Sequence, residues 1–242
     1  MTQLNEQVAL VTGATSGIGE AIALHLASLG VRLCAAGRNS EALEKVAQEA
    51  KRLRSAVKTY QADLTNDEQV AEIVDNIKKE FGGLDILVHC AGVYARGPLE
   101  CASVQDLDDL YRANVRAPLL LTQHALPLIK SRHGQLVFIN STQGLAPSKN
   151  VGLYAATQHA RRALADGLRE ELNPDGVRVL SVFVGRTATP MIERICRAEG
   201  REYRPELLLQ PAHVAITVGN ALQMPYHAEI TNISIRPRVK SY

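Results

Sequence analysis

The chain has 242 residues, of which 46% are apolar and 21% charged, and its formal net charge is +2. This composition is typical of a soluble globular protein, and the nearly balanced charge does not indicate binding to nucleic acid or to an anionic membrane. No apolar run reaches the roughly 18 residues of a membrane span. The first seven residues do not resemble a signal peptide, and the four cysteines include no C-x-x-C pair, so we expect a cytoplasmic protein.

The first unit combines a short apolar strand, a glycine turn and an amphipathic helix. The strand covers Val8–Val11, the helix covers Ile18–Leu29, and Gly30 ends the helix. Glycines in such a turn let a pyrophosphate approach the backbone, and the helix N-terminus attracts its charge. The alternative is a tight turn that binds nothing. We expect the cofactor contacts of this unit at Gly13, Thr15, Ser16, Gly17, Ile18 and Gly19.

The second predicted strand, Val31–Gly37, is followed directly by Arg38 and Asn39, with no acidic residue between them. In a dinucleotide-binding fold this position meets the adenosine ribose, where an acidic residue binds the 2′-hydroxyl and an arginine suits a 2′-phosphate. The pattern therefore predicts NADP(H) in preference to NAD(H), with Arg38 and Asn39 in contact with it. The alternative is a solvated loop arginine.

Helical and strand-like segments alternate along the rest of the chain, which predicts a parallel sheet with helices on both faces. We expect an α/β fold: one Rossmann-type, doubly wound parallel sheet of about seven strands in a single domain, residues 1–242. Pro118 and Pro127 are expected to bend or end helical pieces. Residues 185–205 are predicted to be an irregular substrate loop. The remaining predicted helices are Ser40–Leu53, Asn66–Phe81, Val104–Ile129, Gly152–Leu172 and Pro211–Met224, and the strands are Val57–Gln61, Leu84–Cys90, Gln135–Asn140, Val177–Val184 and Ala228–Arg236.

Several short polar or small segments follow these strands, on the expected ligand side of the sheet. Asp63 and Leu64 follow the third strand, although Asp63 is also a candidate cap or turn residue for the next helix. Ala91 and Gly92 follow the fourth strand and allow close backbone approach. His89 lies within that apolar strand without a second ligand nearby, so we interpret it as structural and expect no metal site.

Three further side chains are expected to converge at this edge: Asn114, Ser141 at the end of the fifth strand, and Tyr154 near the start of the next helix. A tyrosine can give or take a proton if its pKa is lowered from its usual value near 10. A serine hydroxyl can bind a carbonyl or alcohol oxygen. The three residues together therefore indicate proton transfer at an oxygen atom.

These motifs resemble those of the short-chain dehydrogenase/reductase family along nearly the whole chain. The resemblance rests on the glycine turn, Asp63-Leu64, Ala91-Gly92, the three polar residues above, and a segment carrying Gly185, Thr187 and Thr189 that resembles the family's loop beside the nicotinamide. It implies that Tyr154 is the general acid/base, that Ser141 holds the substrate oxygen and that Asn114 supports a proton relay through water. Hydride would pass between the nicotinamide and a small carbonyl or alcohol substrate.

One departure from the family pattern concerns the reaction directly. The family has Tyr-x-x-x-Lys, and here Gln158 stands four residues after Tyr154, on the same helix face. The family's lysine binds the nicotinamide ribose and lowers the tyrosine pKa. Glutamine can replace the hydrogen bond but not the charge, so we expect weakened activity.

No other cation is expected to replace that lysine. His159 should point elsewhere, and Arg161 lies seven residues after Tyr154, about 10 Å along the helix axis, too far for a direct bond unless its side chain folds back. Milder departures are His89-Cys90 in place of the family's Asn pair and Val184 in place of a proline.

Two functions stay open at this point. The favoured one is an NADP(H)-dependent oxidoreductase, because Asn114, Ser141 and Tyr154 are all present. The alternative is a non-catalytic dinucleotide-binding regulatory or partner protein. The resemblance also implies a homodimer or homotetramer.

Overall fold

The structure is a computed structural model that describes residues 3–239, so the first two and last three residues of the expected domain lie outside it. The strands are β1 (Val8–Thr12), β2 (Arg32–Gly37), β3 (Val57–Gln61), β4 (Ile86–His89), β5 (Gln135–Ser141), β6 (Arg178–Val184) and β7 (Asn232–Ile235). The helices are α1 (Gly17–Ser28), α2 (Ser40–Arg52), α3 (Asp67–Phe81), α4 (Val104–Tyr111), α5 (Ala117–Lys130), α6 (Gly152–Leu172), α7 (Pro190–Ala198) and α8 (Pro211–Leu222).

All seven strands form one parallel sheet in the order β3-β2-β1-β4-β5-β6-β7. The chain order reverses between β1 and β4, and such a switch point opens a crevice at the carboxyl ends of the strands. The central strands are apolar at nearly every position because both faces are covered. The structure thus confirms the α/β, doubly wound fold that the sequence predicts.

The core lies in two layers, one on each face of the sheet. Ala9 and Val11 of β1 belong to one layer, and Val8 and Leu10 belong to the other, as the two-residue period of a strand requires. Helices α1, α2 and α8 supply the first layer, and α3, α5 and α6 supply the second. The sheet is therefore held rigidly, and its carboxyl edge is free to carry polar side chains.

The structure corrects three predicted elements. The long helix predicted over Val104–Ile129 is divided into α4 and α5 by a π-helical turn at Arg112–Arg116, while Pro127 is accommodated inside α5. Residues 185–205 are not irregular throughout, because α7 lies within them. The last strand covers only Asn232–Ile235. Among the described residues, no helix combines the length and the apolar character needed to cross a membrane.

Candidate active site

The glycine turn packs tightly between β1, α1 and the end of β4. Gly13 has a φ of +66°, and a Cβ there would lie 2.9 Å from the backbone of Ala91. A Cβ on Gly19 would lie 2.2 Å from the carbonyl oxygen of Gly13. Both positions therefore exclude larger residues. The close packing of the turn places the start of α1 at the edge of the crevice at the switch point.

Thr12, the last residue of β1, joins this turn to β4. Its buried hydroxyl donates to Val88 O at 3.1 Å and accepts hydrogen bonds from Cys90 N at 3.0 Å and Ala91 N at 3.2 Å. A single side chain thus satisfies three main-chain groups at the point where two strands diverge. The backbone of Ala91 and the adjoining Gly92 is positioned by this contact.

The N-terminus of α1 is not capped by a side chain, because the exposed Ser16 makes no capping hydrogen bond. By contrast α2, α3, α4 and α7 all begin with a side-chain cap. The first turn of α1 therefore presents N–H groups and the positive end of the helix dipole to the crevice. This arrangement fits a phosphate group.

A polar cleft of about 470 Å³ lies beside the ends of β2 and β3, and it is lined by Arg38, Gln61, Ala62, Asp63, Gln69 and Glu72. Arg38 is exposed, and its charge contributes to lowering the pKa of Asp63, after the hydrogen bonds from Thr65. Asp63 Oδ1 accepts from Thr65 N at 2.9 Å and Thr65 Oγ1 at 2.8 Å. Asn39 is the N-cap of α2 through a 2.9 Å bond from Ala42 N. Asp63 and Asn39 therefore each stabilise a turn beside the cleft.

Tyr154 and Ser141 meet at the carboxyl end of β5. Burial raises the pKa of the Tyr154 hydroxyl, while a hydrogen bond with Ser141 and then the positive charge of Arg161 lower it. The Tyr94 ring lies edge-on to Tyr154, with 4.9 Å between the ring centroids. Ser141 Oγ also accepts from Gln143 N at 3.1 Å. The arrangement places a proton donor and a hydroxyl at one point of the crevice.

Asn114 is fully buried in the π-helical turn. Its Oδ1 accepts from Val93 N at 2.9 Å, and its Nδ2 donates to Val93 O at 2.9 Å and to Thr157 Oγ1 at 3.2 Å. Thr157 in turn donates to Tyr154 O at 2.8 Å. The carboxamide of Asn114 thus ties the segment after β4 to the helix that carries Tyr154, and both of its N–H groups are used.

Two side chains further along α6 are also buried. The carboxamide of Gln158 makes no hydrogen bond with any residue of the described range 3–239. The Arg161 side chain extends to the end of β4, where Nη2 donates to His89 O at 2.5 Å and Nη1 donates to Ala91 O at 3.3 Å. Arg161 therefore folds back towards the site, the case that the sequence left open, and no direct bond to Tyr154 forms.

The segment after β6 passes over the glycine turn. A Cβ on Gly17 would lie 2.9 Å from Thr189 Cγ2, and Thr189 caps α7 by accepting from Ile192 N at 3.3 Å. Thr187 is buried and donates to Gly185 O at 3.1 Å. Of the predicted loop residues, Thr189 thus lies beside Gly17 of the glycine turn, and Gly185 and Thr187 precede it on the same segment.

A family model for short chain dehydrogenases matches residues 7–200 of this chain. The chain belongs to the short-chain dehydrogenase family. It is 34% identical over 238 residues, 98% of this chain and all of the relative, to an uncharacterized oxidoreductase of Staphylococcus aureus. It is also similar to an alcohol dehydrogenase from the archaeon Thermococcus sibiricus complexed with 5-hydroxy-NADP, with 26% identity, a TM-score of 0.89 and coverage of 98% of this chain and 99% of the other. An actinorhodin polyketide ketoreductase variant with NADPH gives 25% identity, a TM-score of 0.88 and 97% coverage of both chains.

Sequence reasoning did not assign a site role to Thr12, Tyr94, Thr157 or Arg161 in this short-chain dehydrogenase. Thr12 follows a strand and precedes the glycine turn, which is a usable signal for a side chain at the crevice. His89 is buried and its Nε2 lies 2.8 Å from Thr122 Oγ1, so its contacts are structural. Within residues 3–239, no three His, Cys, Asp or Glu side chains are grouped to hold a metal ion.

Proposed function

We propose that the protein is an NADP(H)-dependent oxidoreductase that transfers hydride between the nicotinamide and a small carbonyl or alcohol substrate. The observation that carries the proposal is the meeting of Tyr154 and Ser141 at the carboxyl edge of the sheet, with only β4 between their strand and the strand that leads into the glycine turn. Membership of the short-chain dehydrogenase family and its likeness to proteins solved with NADPH or an NADP derivative support the same conclusion.

Binding of the cofactor is proposed along the whole crevice. The uncapped N-terminus of α1 and the glycine turn suit the pyrophosphate. The polar cleft suits the adenosine, with the cationic Arg38 beside a 2′-phosphate and Asp63 beside the base. The free carboxamide of Gln158 suits the nicotinamide ribose. Bound there, the cofactor supplies or accepts the hydride.

The protein's own residues then handle the proton and the substrate oxygen. We propose that Tyr154 donates its hydroxyl proton to the substrate oxygen during reduction and accepts it back during alcohol oxidation, while Ser141 holds that oxygen. The Asn114 carboxamide already makes hydrogen bonds through both its oxygen and its nitrogen. We therefore propose that the main-chain carbonyl of Asn114 supports the proton relay. Because Gln158 is neutral, proton transfer is slower than with a lysine at that position.

Substrate selection is proposed for residues 185–205, which include α7. The Glu199 side chain in this segment is only 7% exposed, and its carboxylate forms ion pairs with three cations, Arg96, Arg186 and Arg201. The charges of Arg96 and Arg186 also act on Tyr94, which lies against Tyr154.

The exposed apolar residues of α4, Val104, Leu107 and Tyr111, are available for the proposed homodimer or homotetramer.

A binding and turnover experiment tests the proposal. NADPH and NADH are titrated into the protein by nicotinamide fluorescence, and reduction is then assayed with a panel of aldehydes and ketones. We expect NADPH to bind more tightly and at least one carbonyl to be reduced. Tight NADPH binding without turnover on any carbonyl or alcohol would support the non-catalytic alternative, and absence of nucleotide binding would overturn both.

A further inference from the structure

Arg161 is the most completely buried charged residue of the described chain, with only 2% of its surface exposed. It lies seven residues after Tyr154 on α6, and helical side chains lean towards the helix N-terminus, so its guanidinium extends back towards Tyr154. The two carbonyl groups that hold it belong to His89 and Ala91 at the end of β4. The Phe138 ring lies on its other side, 6.0 Å from the guanidinium carbon to the ring centroid.

This cation has no anionic partner within residues 3–239. Its buried Nε–H donates to no residue of that range. Burial lowers the pKa of Arg161, and Cys90 and Tyr154 are the groups within the range whose negative charge favours its protonated form. A buried charge without a counter-ion is costly, and two carbonyl groups offset only part of that cost. The arrangement therefore indicates a site prepared for negative charge that appears close by.

We propose that Arg161 is a positioning residue that stabilises the anion formed when Tyr154 gives up its proton, and thus supplies the positive charge that Gln158 lacks. The role rests on the proposed function, in which the Tyr154 O–H bond breaks and its proton binds the substrate oxygen as hydride reaches the adjacent carbon. The electron pair left on the Tyr154 oxygen is then the missing counter-ion. Arg161 keeps its own protons throughout, because a guanidinium stays charged over the whole working pH range.

The other groups that face Tyr154 are neutral near pH 7. Burial raises the pKa of Cys90 to about 12 and also raises the pKa of Tyr94, and Ser141 does not ionise. Burial and the charge of Arg161 hold the pKa of His89 well below its usual range, so its ring is neutral as well. The charges of Arg96, Arg186 and Glu199 act on Tyr94 rather than directly on Tyr154. Arg161 is therefore the permanent charge that acts on Tyr154 within the described chain.

The direction of the pH effect follows from this arrangement. Removing the cation raises the pKa of Tyr154, because the tyrosinate loses its stabilisation. Alcohol oxidation needs the tyrosinate. In a variant without the Arg161 charge, the rise of its kcat/KM with pH should therefore move to higher pH, and kcat/KM at pH 7 should fall about tenfold. Carbonyl reduction needs the protonated tyrosine, so the alkaline pH at which its rate falls should also be higher in that variant.

The decisive experiment follows the ionisation of Tyr154 by NMR of protein labelled at the tyrosine ¹³Cζ, with the signal assigned through Tyr154→Phe. Arg161→Met removes the charge, Arg161→Gln removes it but keeps a donor for the carbonyl groups, and Arg161→Lys keeps it. Arg162→Met is the matched control, since the neighbouring Arg162 is exposed and pairs with Asp166. We expect Tyr154 to titrate at higher pH in the Met and Gln variants only. An unchanged Tyr154 titration in either folded variant would overturn the inference.

The unaltered protein gives a second arm that does not depend on the folding of any variant. Burial, Cys34 and Glu80 raise the pKa of Tyr60, and no cation opposes them. We expect Tyr154 to ionise at lower pH than Tyr60, and the reverse order would contradict the role of Arg161. Because NMR needs no turnover, a shifted Tyr154 in a protein that reduces no carbonyl would sink the proposed function and leave the electrostatic role intact. Turnover with an unshifted Tyr154 would do the opposite.

Discussion

The two ends of the crevice each hold an arginine, and the two arginines are placed in opposite ways. Arg38 is exposed beside Asp63, and its guanidinium makes no hydrogen bond with residues 3–239. Arg161 is buried and is held by two carbonyl groups. A solvated charge interacts weakly until a ligand arrives, whereas a buried charge acts strongly on its neighbours at all times.

Under the proposed function, the end of the crevice with Arg38 binds the cofactor and the end with Arg161 carries out the reaction. At the proposed adenosine end Arg38 and Asp63 are exposed to water, and we propose that Arg38 selects between cofactors. The reaction end is built from Tyr154, Ser141, Asn114 and Arg161, whose geometry is fixed by buried hydrogen bonds. Changes at one end should therefore alter affinity, and changes at the other should alter rate and pH dependence.

The largest effect is expected at the reaction end. Replacing Tyr154 with Phe removes the proton donor and keeps the ring, so kcat should fall by about 10²–10⁴. NADPH affinity, measured by fluorescence titration, should change by less than about twofold, since the adenosine end is untouched. Full activity in Tyr154→Phe would show that another group transfers the proton.

A smaller effect is expected at the adenosine end. Arg38→Ala removes a charge-assisted contact with a 2′-phosphate, so NADPH should bind about tenfold to a hundredfold more weakly while NADH binding is unchanged. Asn39→Ala tests the next position, which the sequence also predicts to contact the cofactor but whose side chain accepts from Ala42 N as the cap of α2. It should cost about 1 kcal/mol in the free energy of unfolding, measured by urea denaturation, and leave cofactor selection intact. Equal weakening of NADPH and NADH by Arg38→Ala would break the contrast.

The smallest effect is expected when a second cation joins Arg161. Gln158→Lys alone should raise kcat less than about tenfold, because Arg161 already supplies charge, whereas the same change in Arg161→Met should give a larger gain. The double-mutant cycle is read from kcat for both reaction directions at several pH values. Equal gains in the two backgrounds would mean that the two positions act independently. That result would contradict the inference that Arg161 supplies the charge that Gln158 lacks.

The fold was largely predictable because its signals are local. Val57–Gln61 and Gly152–Leu172 have the same bounds in the sequence prediction and in the structure, since apolar runs and end signals act within one element. Helix α7 was missed in a polar segment, yet Thr189 and Pro190 form a recognisable N-cap and first turn. The division of the long helix at Arg112–Arg116 had no comparable signal.

The candidate site was predictable to the extent that its residues follow strands. Parallel strands end at one edge, so the positions of Asp63, Ala91 and Ser141 follow from the alternation of elements. The alternative for Asp63, a residue that stabilises the turn before the next helix, agrees with its bonds from Thr65. What Asn39 and Asn114 bind was not predictable, because their partners depend on how the following segments fold. The sequence left open whether the Arg161 side chain folds back, because that depends on the carbonyl groups of β4 that hold it and not on the rise along the helix axis.

The sequence by itself determined the order of the elements, the position of the glycine turn and the polar residues at the carboxyl edge, since these depend on neighbours within a few residues. Only the tertiary structure decided that Arg161 is buried beside the reaction end. Its partners, the carbonyl groups of His89 and Ala91, stand about seventy residues away in the chain. They meet Arg161 only because β4 pairs with β5 in the sheet and α6 packs against β5 and β6, so the position of this charge is a property of the assembled core.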